Sequence, residues 1–140
     1  MNDFLYEEIT LLLMPIPKFD EIMHPILKFL SDNKQHSTKE INEQMANHFK
    51  LTSEEKTQLA PNGTKRIFDN RCDWARFYLK KAQLITSPKR SILEITEEGM
   101  EFLKSHKNSF DKKTLMTLPT FFNFVEESEY QRNIRLQNID

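Results

Sequence analysis

The sequence predicts a mainly helical α+β domain in which three core helices precede a short β-hairpin and a further helix. The 140 residues include only two glycines, Gly63 and Gly99, and are rich in Glu, Lys, Gln and Leu, which favour helices. Apolar residues recur at helical spacing along most of the chain. Strand-like residues are confined to Leu84–Thr86 and Ile92–Ile95, on either side of a turn that contains Pro88-Lys89-Arg90.

The first core helix is predicted from Phe19 to Phe29. Pro25 either kinks this helix or marks its start, because proline fits a first helical turn and disrupts a helix interior. Asp32-Asn33 ends the segment. The core-facing stripe of this helix consists of Phe19, Ile22, Met23, Ile26, Leu27 and Leu30.

The second core helix is predicted to begin after Ser37 or Thr38, where Glu40 is well placed to support the N-cap. Leu51 to Glu55 repeats the capping pattern and predicts one short helical turn, which ends at Pro61-Asn62-Gly63. The apolar positions of the second helix are Ile41, Met45, Ala46 and Phe49.

The third core helix is predicted from Lys65 or Ile67 to Ala82. At 100° per residue, its inward side carries Ile67, Arg71, Trp74, Ala75, Tyr78, Leu79 and Ala82. Its outward side carries Arg66, Asp69, Asn70, Asp73, Arg76, Phe77, Lys80 and Lys81. The inward side is therefore apolar except for one arginine, and the outward side is polar and basic.

A final helix of the domain is predicted to start near Thr96 or Glu97. Helix, helix, helix, hairpin, helix is the order of a winged helix-turn-helix, whose third helix enters the major groove of DNA while its hairpin touches the backbone. We therefore divide the chain into an N-terminal helical extension (1–17), a winged-helix domain (18–106) and a C-terminal helical extension or linker (107–140).

One stretch of the chain is strongly basic. Gly63 to Arg90 contains eight basic and two acidic residues, a net charge of +6, although the whole chain has a net charge of −1. A concentrated basic element in a nearly neutral protein indicates a site for a polyanion such as DNA. The alternative is a solvated face held by i,i+4 ion pairs. The candidate DNA contacts are Thr64, Lys65, Arg66, Asn70, Arg76, Phe77, Lys80 and Lys81 around the third helix, with Lys89 and Arg90 at the hairpin tip.

Several side chains of this stretch have separate interpretations. Arg71 is predicted to be structural and to bond backbone carbonyls or a glutamate, because a buried guanidinium needs partners. Trp74 and Tyr78 are predicted to be core residues. Cys72 is predicted to be a packing residue, because no histidine partner for a nucleophile is visible. Phe77, exposed among cations, either meets a thymine methyl or a methylated base, or packs under the N-terminal extension.

The remaining composition excludes several classes of function. The single cysteine allows no internal disulfide and indicates a reducing compartment. The four histidines lack metal-ligand spacing and no glycine-rich phosphate loop is present, so we expect no cofactor. The most apolar N-terminal run, Ile9–Met14, is too short to span a membrane. We expect a cytoplasmic protein that does not contact a membrane.

The run Asn70-Arg71-x-x-Trp74-Ala75-Arg76-x-Tyr78-Leu79-Lys80-Lys81-Ala82 is a specific motif. Through it, Phe19 to Leu103, roughly three fifths of the chain, resembles the N-terminal domain of Mrr-like restriction proteins. The resemblance implies a winged-helix DNA-binding domain that precedes a separate nuclease domain in modification-dependent (type IV) restriction enzymes, which cut DNA bearing methylated bases. The other matching residues are Ile16-Pro17, Pro25-Ile26-Leu27, Pro61-x-Gly63, Leu84-Ile85, Pro88-x-Arg90 and Ile95-Thr96-x-x-Gly99.

The sequence departs from the family pattern at three positions. Gln83 stands where the family has the glycine that ends the third helix, so the end of this helix must be formed differently. Ser91 replaces a usual glycine after Arg90 and puts the geometry of the hairpin tip in doubt. Phe77 occupies an outward position that is usually small and polar, which changes what this face of the helix can contact.

The family's nuclease domain is implied to use an Asp followed by Glu-x-Lys or Gln-x-Lys around a divalent metal. Here Glu54-x-Lys56 is the only such tripeptide, and it lies at a predicted helix start without strand context. The chain length leaves no room for another domain of ordinary size. We therefore expect a targeting module that is not an enzyme, either a truncated form or a natural stand-alone reader.

Two functions are compatible with these patterns. The favoured one is a duplex-DNA-binding module of an Mrr-like restriction system, with the sensing of methylated bases left open. The alternative is a winged-helix protein-interaction or dimerisation module that does not bind DNA. In that case the apolar flanks Leu5–Leu13 and Phe121–Val125 would form the contact, for example in a homodimer.

Overall fold

A computed structural model of the protein describes residues 16–61 and 63–138. The α-helices in this part of the chain are α1 (Phe19–Phe29), α2 (Thr38–His48), α3 (Ser53–Thr57), α4 (Ile67–Lys81), α5 (Glu97–Ser105), α6 (Lys112–Leu115) and α7 (Pro119–Gln137). The strands are β1 (His36–Ser37), β2 (Ile85–Lys89) and β3 (Ile92–Ile95). This order of elements confirms the predicted mainly helical α+β fold of the winged-helix type. The predicted N-terminal helix lies outside the described residues.

The predicted apolar stripe of helix α1 lies in the core, except that Phe19 is only partly buried. Ile22, Met23, Ile26 and Leu27 on this stripe are fully inaccessible to solvent. Pro25 lies inside α1, which begins at Phe19, so the proline does not mark the start of the helix. A 3₁₀ turn (Leu30–Asp32) follows, and Asn33 ends it with a left-handed backbone at φ = 64°.

Helices α2 and α3 begin at the caps that the sequence predicts. The Ser37 hydroxyl accepts a hydrogen bond from the backbone N–H of Glu40 at 3.0 Å, which satisfies one free donor in the first turn of α2. Thr52 and Glu55 form a reciprocal capping box at the start of α3, with hydrogen bonds of 2.8 and 3.1 Å. These local hydrogen bonds fix where each helix starts.

The sheet is antiparallel, with the strand order β1-β3-β2. The predicted hairpin is present: Ile85 pairs with Ile95, Thr86 pairs with Glu94, and the register shifts before Lys89 pairs with Ile92. Strand β1 was not predicted, because a pair of residues is too short to show an alternating pattern. It pairs His36 with Leu93, so β3 is the central strand and the hairpin is attached to the segment before α2.

The hydrophobic core extends beyond residue 106. Phe110, Leu115 and Phe121 are buried in the same apolar cluster as the side chains of α1 and α4. The burial of a large apolar side chain contributes about 1.5–3 kcal/mol, so these residues add substantially to the core. They hold α6 and the first turn of α7 against the rest of the domain. None of the helices in the described ranges is both long and apolar enough to cross a membrane.

Candidate nucleic-acid interface

Helix α4, the predicted recognition helix, is held at its first turn by backbone contacts. Leu59 and Arg66 form an isolated antiparallel β-bridge. The N–H of Ile67 donates a 2.8 Å hydrogen bond to the carbonyl of Gln58. Gly63, in the turn between these segments, has φ = 72°, a conformation that favours glycine. The segment before α4 is thus tied to its N-terminus, which fixes where the helix begins.

The buried face of α4 differs from the predicted one. The side chains of Phe68, Cys72, Ala75, Arg76 and Leu79 are buried along the helix. The predicted inward set included Trp74, which is 48% exposed, and that placement is wrong. Tyr78, also predicted in the core, is partly buried and contacts Phe121 with a centroid distance of 5.7 Å. The core therefore contacts a stripe of α4 that is rotated away from the one read from the sequence.

Arg76 was predicted on the outward face as a DNA contact, and its outward placement is wrong. Its side chain is only 9% exposed. Its guanidinium donates hydrogen bonds to Oδ1 of Asn42 on α2 and to the carboxylate of Asp73 one turn earlier on α4. These two partners satisfy a charge that would otherwise be costly to bury. Lys65 also forms an ion pair with Asp73, so this carboxylate neutralises part of the basic stretch.

Arg71 has the structural role that the sequence predicts. Its Nη1 atom donates hydrogen bonds to the carbonyl oxygens of Ile16 at 2.9 Å and Pro17 at 3.2 Å. The arginine therefore holds the segment that enters the domain against the side of α4. Cys72 is confirmed as a packing residue, because it is fully buried, and burial raises the pKa of its thiol to about 12.

Phe77 is 39% exposed, as its outward placement predicts. Its ring packs edge-on against Phe124 of α7 at 5.8 Å and against Trp74 at 5.6 Å. The amine of Lys81 lies over the rings of Phe77 and Phe124, at 5.5 and 5.1 Å from their centroids. The described residues thus place the C-terminal helix beside Phe77, whereas residues 1–15 of the N-terminal extension lie outside them.

The remaining candidate residues are accessible to solvent. Asn70 is half-buried, and Thr64 and Lys65 are exposed. Among the exposed candidate cations, four have no ion-pair, hydrogen-bond or cation–π partner for their side chains in the described part of the chain, and they are Arg66, Lys80, Lys89 and Arg90. Their charge is therefore available to an anionic ligand, in contrast to that of Lys65, Arg71 and Arg76.

Two of the three departures from the family pattern occur at left-handed backbone positions. Gln83 has φ = 62° and ends α4 in a Schellman motif, in which Leu84 N–H bonds Leu79 O at 3.0 Å and Gln83 N–H bonds Lys80 O at 2.9 Å. Ser91 has φ = 63° at the hairpin turn. The glycine-like geometry is thus retained with side chains that adopt it less readily.

Residues 19–105 match the family model of the Mrr N-terminal domain. The chain belongs to this family. Among curated proteins, it is similar to the type IV methyl-directed restriction enzyme EcoKMrr of Escherichia coli (strain K12), with 26% identity over 94 residues. This alignment covers 66% of the chain and 31% of that enzyme. No solved structure matches the chain.

The Mrr N-terminal domain match runs from the start of α1 to the end of α5. The match is to the N-terminal domain and not to a nuclease domain. The Glu54-x-Lys56 tripeptide lies in the short, exposed helix α3. Within the described ranges, no group of three or more His, Cys, Asp or Glu side chains is arranged to hold a metal ion.

The sequence did not single out Lys112, Arg132 and Arg135, which line a cleft beside α4. These cations come from α6 and α7, outside the basic stretch and outside the matched family region. The clustering of arginine and lysine next to exposed aromatic residues becomes visible only once α7 is packed against α4. The distance in sequence between these elements explains why a reading by composition missed them.

Proposed function

We propose that this chain is a duplex-DNA-binding module of an Mrr-like restriction system. In this proposal α4 enters the major groove and the β2–β3 hairpin, the wing, contacts the DNA backbone. The supporting observation is the set of exposed cations without partners at both elements: Arg66 and Lys80 at α4, and Lys89 and Arg90 at the wing. Because the relative from Escherichia coli is a methyl-directed restriction enzyme, we extend the proposal to the sensing of methylated bases. We also propose that the protein is cytoplasmic.

The residues of the predicted interface have different roles in this proposal. Arg66, Lys80, Lys89 and Arg90 neutralise phosphates, and Asn70 contacts a base edge. The border of the same DNA-binding surface consists of Thr64, Lys65, Phe77 and Lys81. Arg76 acts indirectly, because its guanidinium is occupied by Asn42 and Asp73. It positions the polar side chains between α2 and α4 and does not contact DNA itself.

The test is fluorescence anisotropy of a labelled duplex, titrated with the protein at several salt concentrations. Four to six phosphate contacts give a slope of about −4 to −5 in a plot of log affinity against log salt. Unmethylated, adenine-methylated and cytosine-methylated versions of the same duplex measure the dependence on modification. Failure to bind any of them at low salt would overturn the proposal.

The decisive variant is the charge reversal Arg66→Glu/Lys80→Glu, because both side chains are exposed and neither has a partner that the change would leave unpaired. We expect loss of duplex binding with unchanged thermal unfolding. Lys104→Glu/Lys107→Glu is the matched control, since it changes the net charge by the same amount at two exposed lysines that lie outside the proposed interface. Equal loss of binding in the control would indicate a non-specific effect of net charge.

A second candidate function, contact with another protein, is favoured by α7. Its side chains include three exposed apolar groups: Phe122 is 44% exposed, Leu136 is 59% exposed and Tyr130 is 60% exposed. Light scattering after size-exclusion chromatography tests whether the chain forms a homodimer. The substitutions Tyr130→Ser and Leu136→Ser should convert a dimer to a monomer without affecting DNA binding. Arg66→Glu/Lys80→Glu should instead abolish DNA binding and leave the oligomeric state unchanged.

A further inference from the structure

A cleft of about 390 Å³ separates the recognition helix from the C-terminal helix. Trp74, Phe77 and Tyr78 of α4 form one wall, and Phe124 of α7 lies on the other side. The volume falls within the range of about 300–1,000 Å³ that is usual for sites that bind small organic groups. The DNA contacts proposed above do not use this cleft, although it shares Phe77 with them.

The aromatic wall of the cleft is accessible. Trp74 is 48% exposed, although tryptophan is highly buried on average. Its ring contacts Phe77 at 5.6 Å and Tyr78 at 6.0 Å, and these neighbours hold the indole in place. An exposed aromatic ring that is fixed by other rings presents a flat surface on which a planar group can stack at little cost in conformational entropy.

Cations surround this aromatic wall. Lys112 of α6 and Arg132 and Arg135 of α7 line the cleft, together with a single carboxylate, Glu129. The Lys112 amine lies 5.2 Å from the centroid of the Tyr78 ring. None of these four charged side chains forms an ion pair or a hydrogen bond in the described part of the chain. The cleft therefore combines an apolar stacking surface with an excess of positive charge.

We propose that this cleft binds an unstacked nucleobase of DNA, which stacks on Trp74 while Lys112, Arg132 and Arg135 contact the phosphates on either side of that base. Stacking surfaces bordered by cations are the usual means by which proteins bind unpaired nucleotides. The inference rests on the proposed function, because it requires DNA to be bound at α4.

The position of the cleft favours a nucleotide over a peptide. Phe77 belongs both to the cleft and to the outward face of α4 that is predicted to contact DNA, so the two surfaces are continuous. Lys81 bridges the rings of Phe77 and Phe124 at the junction. A base displaced from the duplex next to α4 would thus reach the cleft without leaving the protein surface. An acidic peptide is the competing occupant. Residues 1–15 of this chain are a candidate for such a peptide, because they contain Asp3, Glu7 and Glu8.

The experiment uses Trp74 as its reporter, because it is the only tryptophan in the chain. The intact protein is titrated with three probes: a single-stranded oligothymidylate, a fully paired duplex, and the same duplex with one unpaired nucleotide. We expect quenching of Trp74 emission by the single strand and by the duplex with the unpaired nucleotide, and weaker quenching by the fully paired duplex. Anisotropy of the labelled DNA measures binding independently.

Two variants test the roles of the side chains. Trp74→Ala should weaken binding of the duplex with an unpaired nucleotide about 5- to 150-fold, the range that corresponds to loss of one stacked base, and Trp74→Phe should restore part of it. Binding of the fully paired duplex should change little. Lys112→Ala provides a second variant at a side chain that forms no ion pair in the described part of the chain, with an expected smaller loss and a reduced salt dependence.

The outcomes separate this inference from the proposed function. If the fully paired duplex binds but Trp74 emission is unaffected by any probe and Trp74→Ala changes no affinity, the cleft does not bind a nucleobase and the duplex-binding proposal stands. If no probe binds by anisotropy, both proposals are wrong. If Trp74 emission responds to removal of residues 1–15 but to no oligonucleotide, the cleft binds a peptide and the inference is overturned.

Discussion

Asn42 and Arg76 lie 34 positions apart in the sequence and share a hydrogen bond that ties α2 to α4. Asp73 accepts a second hydrogen bond from the same guanidinium. We predict that Arg76→Ala destabilises the protein by about 2–3 kcal/mol, because hydrogen bonds to a charged group contribute about 1.5–3 kcal/mol and their loss leaves polar partners unpaired. Urea unfolding of the two proteins measures the difference.

Lys80→Ala is the matched control for Arg76→Ala on the same helix. Lys80 is exposed and has no partner, so its removal should change the free energy of unfolding by less than about 0.5 kcal/mol. It should instead weaken DNA binding and reduce the salt slope by about 1. A stable Arg76→Ala protein that fails to bind DNA would show that Arg76 contacts DNA directly.

Replacement of Gln83 by glycine should stabilise the protein. Gln83 has φ = 62° in the Schellman motif that ends α4, and this left-handed conformation costs a residue with a Cβ about 1–2 kcal/mol. Glycine avoids that cost but loses more entropy on folding, which leaves a net gain of about 0.5–1 kcal/mol. Thermal unfolding should show a rise in Tm of about 2–6 °C. Gln83→Ala, which retains a Cβ, should show no such rise.

Replacement of Gly99 by alanine should have the opposite effect. A Cβ at position 99 would overlap the carbonyl oxygen of Leu84 and lie 2.7 Å from Cγ1 of Ile95. Because both neighbours belong to the packed junction between α4, the sheet and α5, we expect a loss of about 1–3 kcal/mol. Glu98→Ala, one residue earlier and exposed, should be nearly neutral. An equally stable Gly99→Ala protein would show that this junction relaxes freely.

The stability of the protein should fall as the pH rises through the pKa of His36 in the folded state. The His36 ring lies 2.8 Å from a carboxylate oxygen of Asp32 and 2.7 Å from one of Glu40. Burial opposes its charge, but these two carboxylates raise its pKa above 6.5. The folded protein thus retains a proton that the unfolded chain releases, so this stabilisation is complete below pH 6.5 and is lost above it.

Urea unfolding across a pH series and NMR titration of the ring measure this effect. His36→Asn should remove the decline in stability above pH 6.5. The pH dependence of stability that His24 causes has the opposite sign. Burial lowers the pKa of His24 despite a hydrogen bond between its ring and the Lys107 carbonyl. Its contribution to stability is therefore lost as the pH falls below 6.5. His24→Asn separates the two slopes. A folded-state pKa of His36 below 6.5 would contradict the prediction.

Features that depend on residues close together in the sequence could be predicted from the sequence. The caps at Ser37 and Thr52 and the bounds of α4 follow from local spacing. The buried face of α4 could not be predicted, because Arg76 and Trp74 have large side chains that combine apolar and polar parts. Whether such a side chain is buried depends on partners far along the chain, such as Asn42 for Arg76. The cleft at Trp74 depends in the same way on the packing of α7.

The wing is connected to the helices before it by backbone hydrogen bonds as well as by the chain itself. Strand β1 pairs with β3, and the N–H of Thr38, the first residue of α2, donates a 2.9 Å hydrogen bond to the carbonyl of Ser91 at the hairpin turn. The hairpin is therefore not an independent module. A chimera that receives the wing of another family member would need residues 36–38 from the same donor to keep both elements in their relative orientation.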